Sequence, residues 1–242
     1  MPAREMSEET KTLAILAHDI KAPISAIKDI LDVINKGYVQ DEIKIMELVS
    51  RASQKAETVI LMLDDILDYT LLANKAMMKR DKVNLFEILR EAVSIMKPYV
   101  DKRNLTLRID CDLTGNKYVN GNYTFLLRVF DNIIMNAIKY NKENGLIILD
   151  CLEDTAKKTI TVTVKDTGIG IPKNEQKKVF KFFERGKYAR KNIDGSIGLG
   201  LSLVKQIIED HNGKIDLSST VGAGTTIFLT IPLLKEGGTN EL

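Results

Sequence analysis

LLRVFDNIIMNAIKYN, from Leu126 to Asn141, reads as an apolar helix with one polar edge: Asn132 and Asn136 stand one turn apart, and Lys139 and Tyr140 follow a turn later. Asparagine lowers helix propensity and needs partners when buried. Two of them on so apolar a helix therefore point to a ligand or a metal, with an internal hydrogen-bond network as the plain alternative. DTGIGIP (Asp166 to Pro172) directly follows a strand pattern. Its glycines, Gly168 and Gly170, permit positive φ and the close backbone approach of nucleotide-contacting turns. GSIGLGLSLVKQII (Gly195 to Ile208) sets Gly198 and Gly200 just before an amphipathic helix. The unpaired amides and positive terminus of such a helix suit phosphate oxygens.

Around these segments, alternation of apolar residues predicts strands at Leu105 to Ile109, Leu146 to Leu152, Thr159 to Lys165, Lys214 to Ser218 and Thr225 to Ile231. Helical periodicity falls at Phe86 to Tyr99, Asn122 to Tyr140 and Leu199 to His211. This half is expected to be an α+β layer sandwich with a mixed sheet and its helices on one face. In EDHNG, Asn212 and Gly213 supply a left-handed helix stop, and His211 is expected to cap the helix through the C-terminal dipole.

The N-terminal half has a different period. Leu13, Ala17, Ile20, Ile24, Ile27, Leu31 and Ile34 step by four and three, and Met46, Val49, Ser53, Ala56, Ile60, Leu63, Leu67 and Thr70 repeat that spacing after a turn near Gly37. Two antiparallel helices result. Ala52, Val59 and Ile66 widen the second helix's stripe beyond what a hairpin covers, so a homodimeric four-helix bundle is expected. The predicted organisation is 1–74 helical hairpin, 75–82 linker, 83–236 α+β domain and 237–242 tail. Beside the seam residue Ala17, His18 sits on the bundle's flank, where a second domain can reach it. Pro23 lies mid-helix, removing an amide and crowding the Asp19 carbonyl at a typical cost of about 3 kcal/mol.

The 242 residues are 44% apolar and 28% charged, the balance of an ordinary folded protein. With 35 basic and 33 acidic side chains the net charge is +2, which gives no overall pull toward nucleic acid or an anionic membrane. No apolar run approaches the roughly 20 residues of a membrane span and the N-terminus lacks a signal-peptide core, so the expected location is cytoplasmic, with no membrane contact by this segment. Cys111 and Cys151 stand far apart in the sequence without metal-ligand spacing and are expected to be buried, reduced thiols.

LAHDIKAPI (Leu16 to Ile24) resembles the phospho-acceptor box of histidine kinases. Taken in order, the asparagine helix, DTGIGIP, VFKFFERG, GLGLSLVKQIIEDHNGKI and GAGTTIFLTIP resemble the ATP-binding domain of the same family. The resemblance spans roughly residues 10 to 233. It implies a sensor histidine kinase core that uses ATP and Mg²⁺, phosphorylates its own His18 and passes the phosphoryl group to an aspartate of a response-regulator receiver domain. In that reading Asp19 accepts the His18 Nδ1 proton, Asn136 coordinates Mg²⁺, Lys139 contacts phosphate and Tyr140 lines the pocket. Asp166 accepts from the adenine amino group, Gly168 and Gly170 shape that turn, and Gly198 and Gly200 lie beneath the phosphates. Asn132 and Leu199 belong to the same pocket, while Phe183 and Arg185 match a motif whose arginine approaches the γ-phosphate. Ala22 stands where the family usually has Thr or Asn to position water, which implies weak phosphatase activity. Ser196 replaces the first glycine of the family's GxGLGL, and Lys187, Arg190 and Lys191 are expected to screen a triphosphate when the loop closes. Related ATPases carry a glutamate at the position of Asn132. The alternatives are an ATPase of that fold or a silent nucleotide-binding scaffold. The chain is read as either a fragment of a longer sensor or a stand-alone kinase.

Overall fold

A computed structural model describes residues 8–73, 79–181 and 199–234. The chain divides into a helical unit within Met1–Thr70 and a second unit built from Leu71–Phe182 and Gly200–Leu242. In the helical unit, α1 (Glu8–Asn35) and α2 (Glu42–Ala73) are joined at Gly37, whose φ of 68° is in the left-handed region that favours glycine. There the Tyr38 amide donates to the Val33 carbonyl at 3.2 Å and the Gly37 amide to that of Ile34 at 3.0 Å, a helix stop of the expected kind. Asp41 starts α2 by accepting from the Lys44 amide at 3.0 Å. α1 runs through Pro23 without a break, and that ring is buried.

The stripes divide differently from the expected seam. Ala52 and Met62 are buried and Val59 and Ile66 half-buried, whereas Ile24, Leu31, Met46, Val49, Ile60, Leu63 and Leu67 are between 46% and 69% exposed. The residues expected to widen the stripe are the covered ones, and seven seam residues form an uncovered apolar row.

In the second unit, β1 (Asp81–Asn84) pairs antiparallel with β3 (Tyr118–Gly121), and α3 (Leu85–Lys102) follows β1 without a loop. Asn84 makes this junction possible. Its Oδ1 accepts from the Phe86 and Lys117 amides at 3.2 and 3.1 Å, and its Nδ2 donates to Asn116 at 2.8 Å. The stretch expected to be linker thus ends in strand, since Asp81 and Lys82 already pair with Gly121 and Asn120. The main sheet has the order β2-β4-β5-β7-β6, comprising Thr106–Ile109, Leu146–Asp154, Thr159–Asp166, Gly224–Pro232 and Lys214–Thr220. Only β2 and β4 are parallel, so the sheet is mixed, as expected.

Leu149, Val162, Val164 and Leu229 project into one core with α3, α4 (Tyr123–Lys139) and α6 (Gly200–Asp210); a short α5 (Lys173–Gln176) lies between β5 and α6. Phe130, Ile133, Ile134, Leu203 and Ile207 are at most 1% exposed at this helix face. Burying such a side chain contributes about 1.5–3 kcal/mol, so the layer sandwich can stand on its own core. Cys111 and Cys151 are free but only half-buried, and they meet as neighbours at the β2/β4 pair, where the Asp110 amide donates to the Leu149 carbonyl at 2.8 Å. Distance along the chain concealed that pairing.

Candidate active site

α4 begins at Asn122, whose Oδ1 accepts from the Phe125 amide at 3.1 Å. From that start the period of the helix sends Phe130, Ile133, Ile134 and Ala137 into the core and leaves Asn132, Asn136, Lys139 and Tyr140 half-buried along one edge. Asn132 donates from Nδ2 to the Arg128 carbonyl at 3.0 Å. α6 starts against this edge at Gly200. A Cβ there would lie 2.9 Å from Asn132 Oδ1, too close to stand without a shift, and 4.0 Å from Asn136 Nδ2, so glycine lets the backbone come up against the Asn132 amide. The structure therefore brings together two segments that are 64 residues apart when counted from Asn136 to Gly200.

The DTGIGIP turn closes the other end. Asp166, the last residue of β5, accepts at Oδ1 from the Gly168 amide at 2.8 Å and the Thr225 amide at 3.2 Å. Burial pushes its carboxyl above the usual range, while those two amides pull it down. Gly168 packs so closely on the Tyr140 carbonyl that a side chain would overlap it, and the Ile169 amide donates to the same carbonyl at 3.0 Å. Gly170 has a φ of 71° and abuts the Thr220 carbonyl, and Ser219 Oγ accepts from the Ile171 amide at 2.8 Å. Asn136, Lys139, Tyr140, Asp166, Gly168, Gly170 and Gly200 thus share one edge of the sandwich. Lys139 Nζ lies 5.8 Å from the Tyr140 ring centroid.

The expected residues Phe183, Arg185 and Gly198 lie outside the described residues, as do Lys187, Arg190, Lys191 and Ser196; the description resumes at Leu199. In the helical unit His18 is 84% exposed at its side chain, with Nδ1 3.3 Å from Asp19 Oδ1. Adjacent helix residues do meet here, because a short carboxylate can turn back to the ring beside it.

His211 corrects one expectation. It is 3% exposed; Nδ1 contacts the Ile207 carbonyl at 2.7 Å and Nε2 accepts from the Asn122 amide at 3.0 Å. An accepting Nε2 requires the neutral ring, and burial pushes its pKa below the ordinary histidine range. The histidine keeps the expected capping role, donating from Nδ1 to the Ile207 carbonyl of α6, but does so uncharged while accepting from the start of α4, and the expected left-handed stop is at Asn212, with φ 57°. Asn141, Thr167 and Thr225 also support the site and were missed. Each lies inside a quoted stretch, but its type and spacing pointed to no ligand, because its partners come from other segments of the chain.

Among the described residues no group of three or more His, Cys, Asp or Glu is placed to hold a metal. The site's donors at its phosphate end are amides and backbone, which fit Mg²⁺ brought in on nucleotide phosphates, because that ion keeps oxygen ligands from phosphate and water.

Residues 121–235 match the family described as histidine kinase-, DNA gyrase B- and HSP90-like ATPase. The Staphylococcus aureus sensor protein kinase WalK is 28% identical over 97% of this chain, which covers 56% of that relative and 38% of longer WalK sequences. The chain thus spans about half or less of the length of these curated relatives. Histidine kinase ThkA, solved in complex with the response regulator protein TrrA, is 25% identical with a TM-score of 0.68, covering 92% of this chain and 61% of that one. Acinetobacter baumannii histidine kinase AdeS shares the fold with a TM-score of 0.68 at 19% identity, over 90% of this chain and 98% of that one.

Proposed function

We propose that this chain is the catalytic core of a sensor histidine kinase, the proteins it is similar to, and that it binds Mg-ATP, phosphorylates its own His18 and passes the phosphoryl group to an aspartate of a response-regulator receiver domain. The observation that carries the reading is an exposed imidazole whose Nδ1 faces a carboxylate at 3.3 Å. A proton held at Nδ1 leaves the Nε2 lone pair pointing away from Asp19 as nucleophile. Nε2 forms the bond to the γ-phosphorus as the bond to the β,γ-bridging oxygen breaks, and that electron pair leaves with ADP. Asp19 offsets the positive charge that develops on the ring.

The nucleotide half would be bound by the sandwich. Asp166 Oδ2 accepts from the adenine amino group, since both backbone donors engage Oδ1. Asn132, Asn136, Lys139 and the turn at Leu199 and Gly200 take the phosphate end, with Asn136 as ligand to Mg²⁺, which would neutralise phosphate charge. Gly168, Gly170 and Tyr140 line the base, and Phe183, Arg185 and Gly198 complete the γ-phosphate side. Catalysis in such a site is mostly positioning and charge stabilisation. Asn132 argues against a water-attacking ATPase, because its amide lacks carboxylate basicity and is already turned to the Arg128 carbonyl.

The uncovered row from Ile24 to Leu67 supports a homodimer through the hairpin, and ThkA's complex with a response regulator supports a receiver domain as acceptor. Among the described residues no helix is long and apolar enough to cross a membrane. Exposed Ala22 cannot orient water, so dephosphorylation of the partner should be weak, and Ala22→Thr should raise it. The direct test incubates the chain with γ-labelled Mg-ATP beside His18→Ala and Asn136→Ala. Acid-labile, alkali-stable label absent from both variants is expected; ADP release without labelled protein would defeat the kinase reading.

A further inference from the structure

Two polar side chains that the proposed chemistry does not use lie one residue beyond two that it does. Asn141 follows Tyr140 and Thr167 follows Asp166, and they meet inside the fold although 26 positions separate them. The Thr167 hydroxyl donates to Asn141 Oδ1 at 3.2 Å and accepts from the Leu146 amide at 2.9 Å. Asn141 is 6% exposed; its Oδ1 also accepts from the Lys142 amide at 3.1 Å, and its Nδ2 donates to the Leu146 carbonyl at 3.3 Å. The Thr167 amide donates to that same carbonyl at 3.1 Å. Gly145 has no side chain because one would overlap the Asn141 amide. Each group is used as donor and acceptor in a way few other residues permit: a valine at 167 has no hydroxyl, and an aspartate at 141 has no hydrogen for Leu146.

The clamp joins the end of α4 to the start of the DTGIGIP turn. On one side of it stand Asn136 and Lys139, on the other Asp166. Resting on the ATP-site reading above, we infer that Asn141 and Thr167 are positioning residues that set the span between the adenine acceptor and the phosphate-binding edge, and so select ligands of adenosine-triphosphate length. A ligand that reaches both ends feels an error in that span; one that touches a single end does not.

The test measures ATP and adenosine affinity by calorimetry, and the rate of His18 phosphorylation at saturating ATP, in the wild-type chain, Thr167→Val and Thr167→Ser. Thr167→Val should weaken ATP about tenfold while adenosine changes less than about twofold and the saturating rate holds within about twofold. Thr167→Ser, which keeps the hydroxyl, should restore ATP affinity. Equal losses for ATP and adenosine, or unchanged ATP affinity in Thr167→Val, overturn the clamp. So does a slower saturating rate at unchanged KM. Should Thr167→Val lose its cooperative thermal transition, Asn141→Ser decides by the same two affinities. A wild-type chain that binds ATP but never labels His18 defeats the kinase reading, while the ATP and adenosine comparison still decides the clamp.

Discussion

The helical unit and the layer sandwich answer opposite demands. The sandwich hides Phe130, Leu149 and Leu203 completely and is finished as a folding unit. The hairpin leaves Leu63 and Leu67 in the open and is finished only by something else. One half stores its apolar surface inside, and the other leaves a row of it exposed. A nucleotide site needs groups fixed within fractions of an ångström, which a closed core supplies. In the proposed chemistry a nucleophile reached first by its own kinase's nucleotide domain and then by a receiver needs exposure, and the His18 side chain is 84% exposed.

The contrast can be broken most forcefully at Phe130. Phe130→Ala leaves a cavity between α4 and the sheet worth about 3–5 kcal/mol, so urea unfolding followed at the tyrosines should move well downward while the helical signal of the hairpin persists. Loss of both signals together would show that the units are not independent. Ile60→Glu asks the reverse question. A charge in the uncovered row should weaken self-association by about 100-fold or more in sedimentation and leave ATP affinity of the sandwich unchanged. Unaltered association would place the dimer elsewhere.

Two smaller tests sharpen the picture inside the sandwich. The His211 pKa is lowered by burial, so its contribution is fully present above the unfolded value of about 6.5 and is lost as pH falls through the folded one. Arg80 adds to the lowering and Asp210 opposes it. Protonation leaves the Asn122 amide without its acceptor at about 1–3 kcal/mol, so the urea midpoint below pH 6.5 should fall further in the wild type than in His211→Gln. Asp131 has the opposite sign. Burial raises its carboxyl to about 6, so its stabilising form is present below the unfolded value of 3.8 and lost as pH rises through 6. Asp131→Asn should therefore stabilise at pH 7.5 by about 1 kcal/mol, discounted because the carboxylate is only half-buried, and the gain should vanish near pH 4.

Much of this was legible in the sequence. Long periodic runs predicted both hairpin helices, and five strands were placed within two residues of their ends, because apolar alternation over five to seven residues between turn signals leaves few readings. β3 was missed: Tyr118–Gly121 buries only Val119 and Gly121, too short an alternation to register. The first half of β1 was assigned to the linker because Asp81 and Lys82 look like solvent residues and are exposed in the strand as well. At the site, motif residues announced themselves by type and spacing. Their supports did not, since Asn141, Thr225 and His211 act through contacts that exist only once α4, α6 and the sheet are assembled.

The Thr225 amide has a consequence of its own. It stands second in β7 yet bonds to the side chain of Asp166, so its exchange with solvent deuterium is governed by the charge density on one carboxylate as well as by the opening of the strand. A purine amino group drawing on that carboxylate would alter deuterium uptake at Thr225, making the end of a strand an intrinsic gauge of occupancy that works with unlabelled nucleotide.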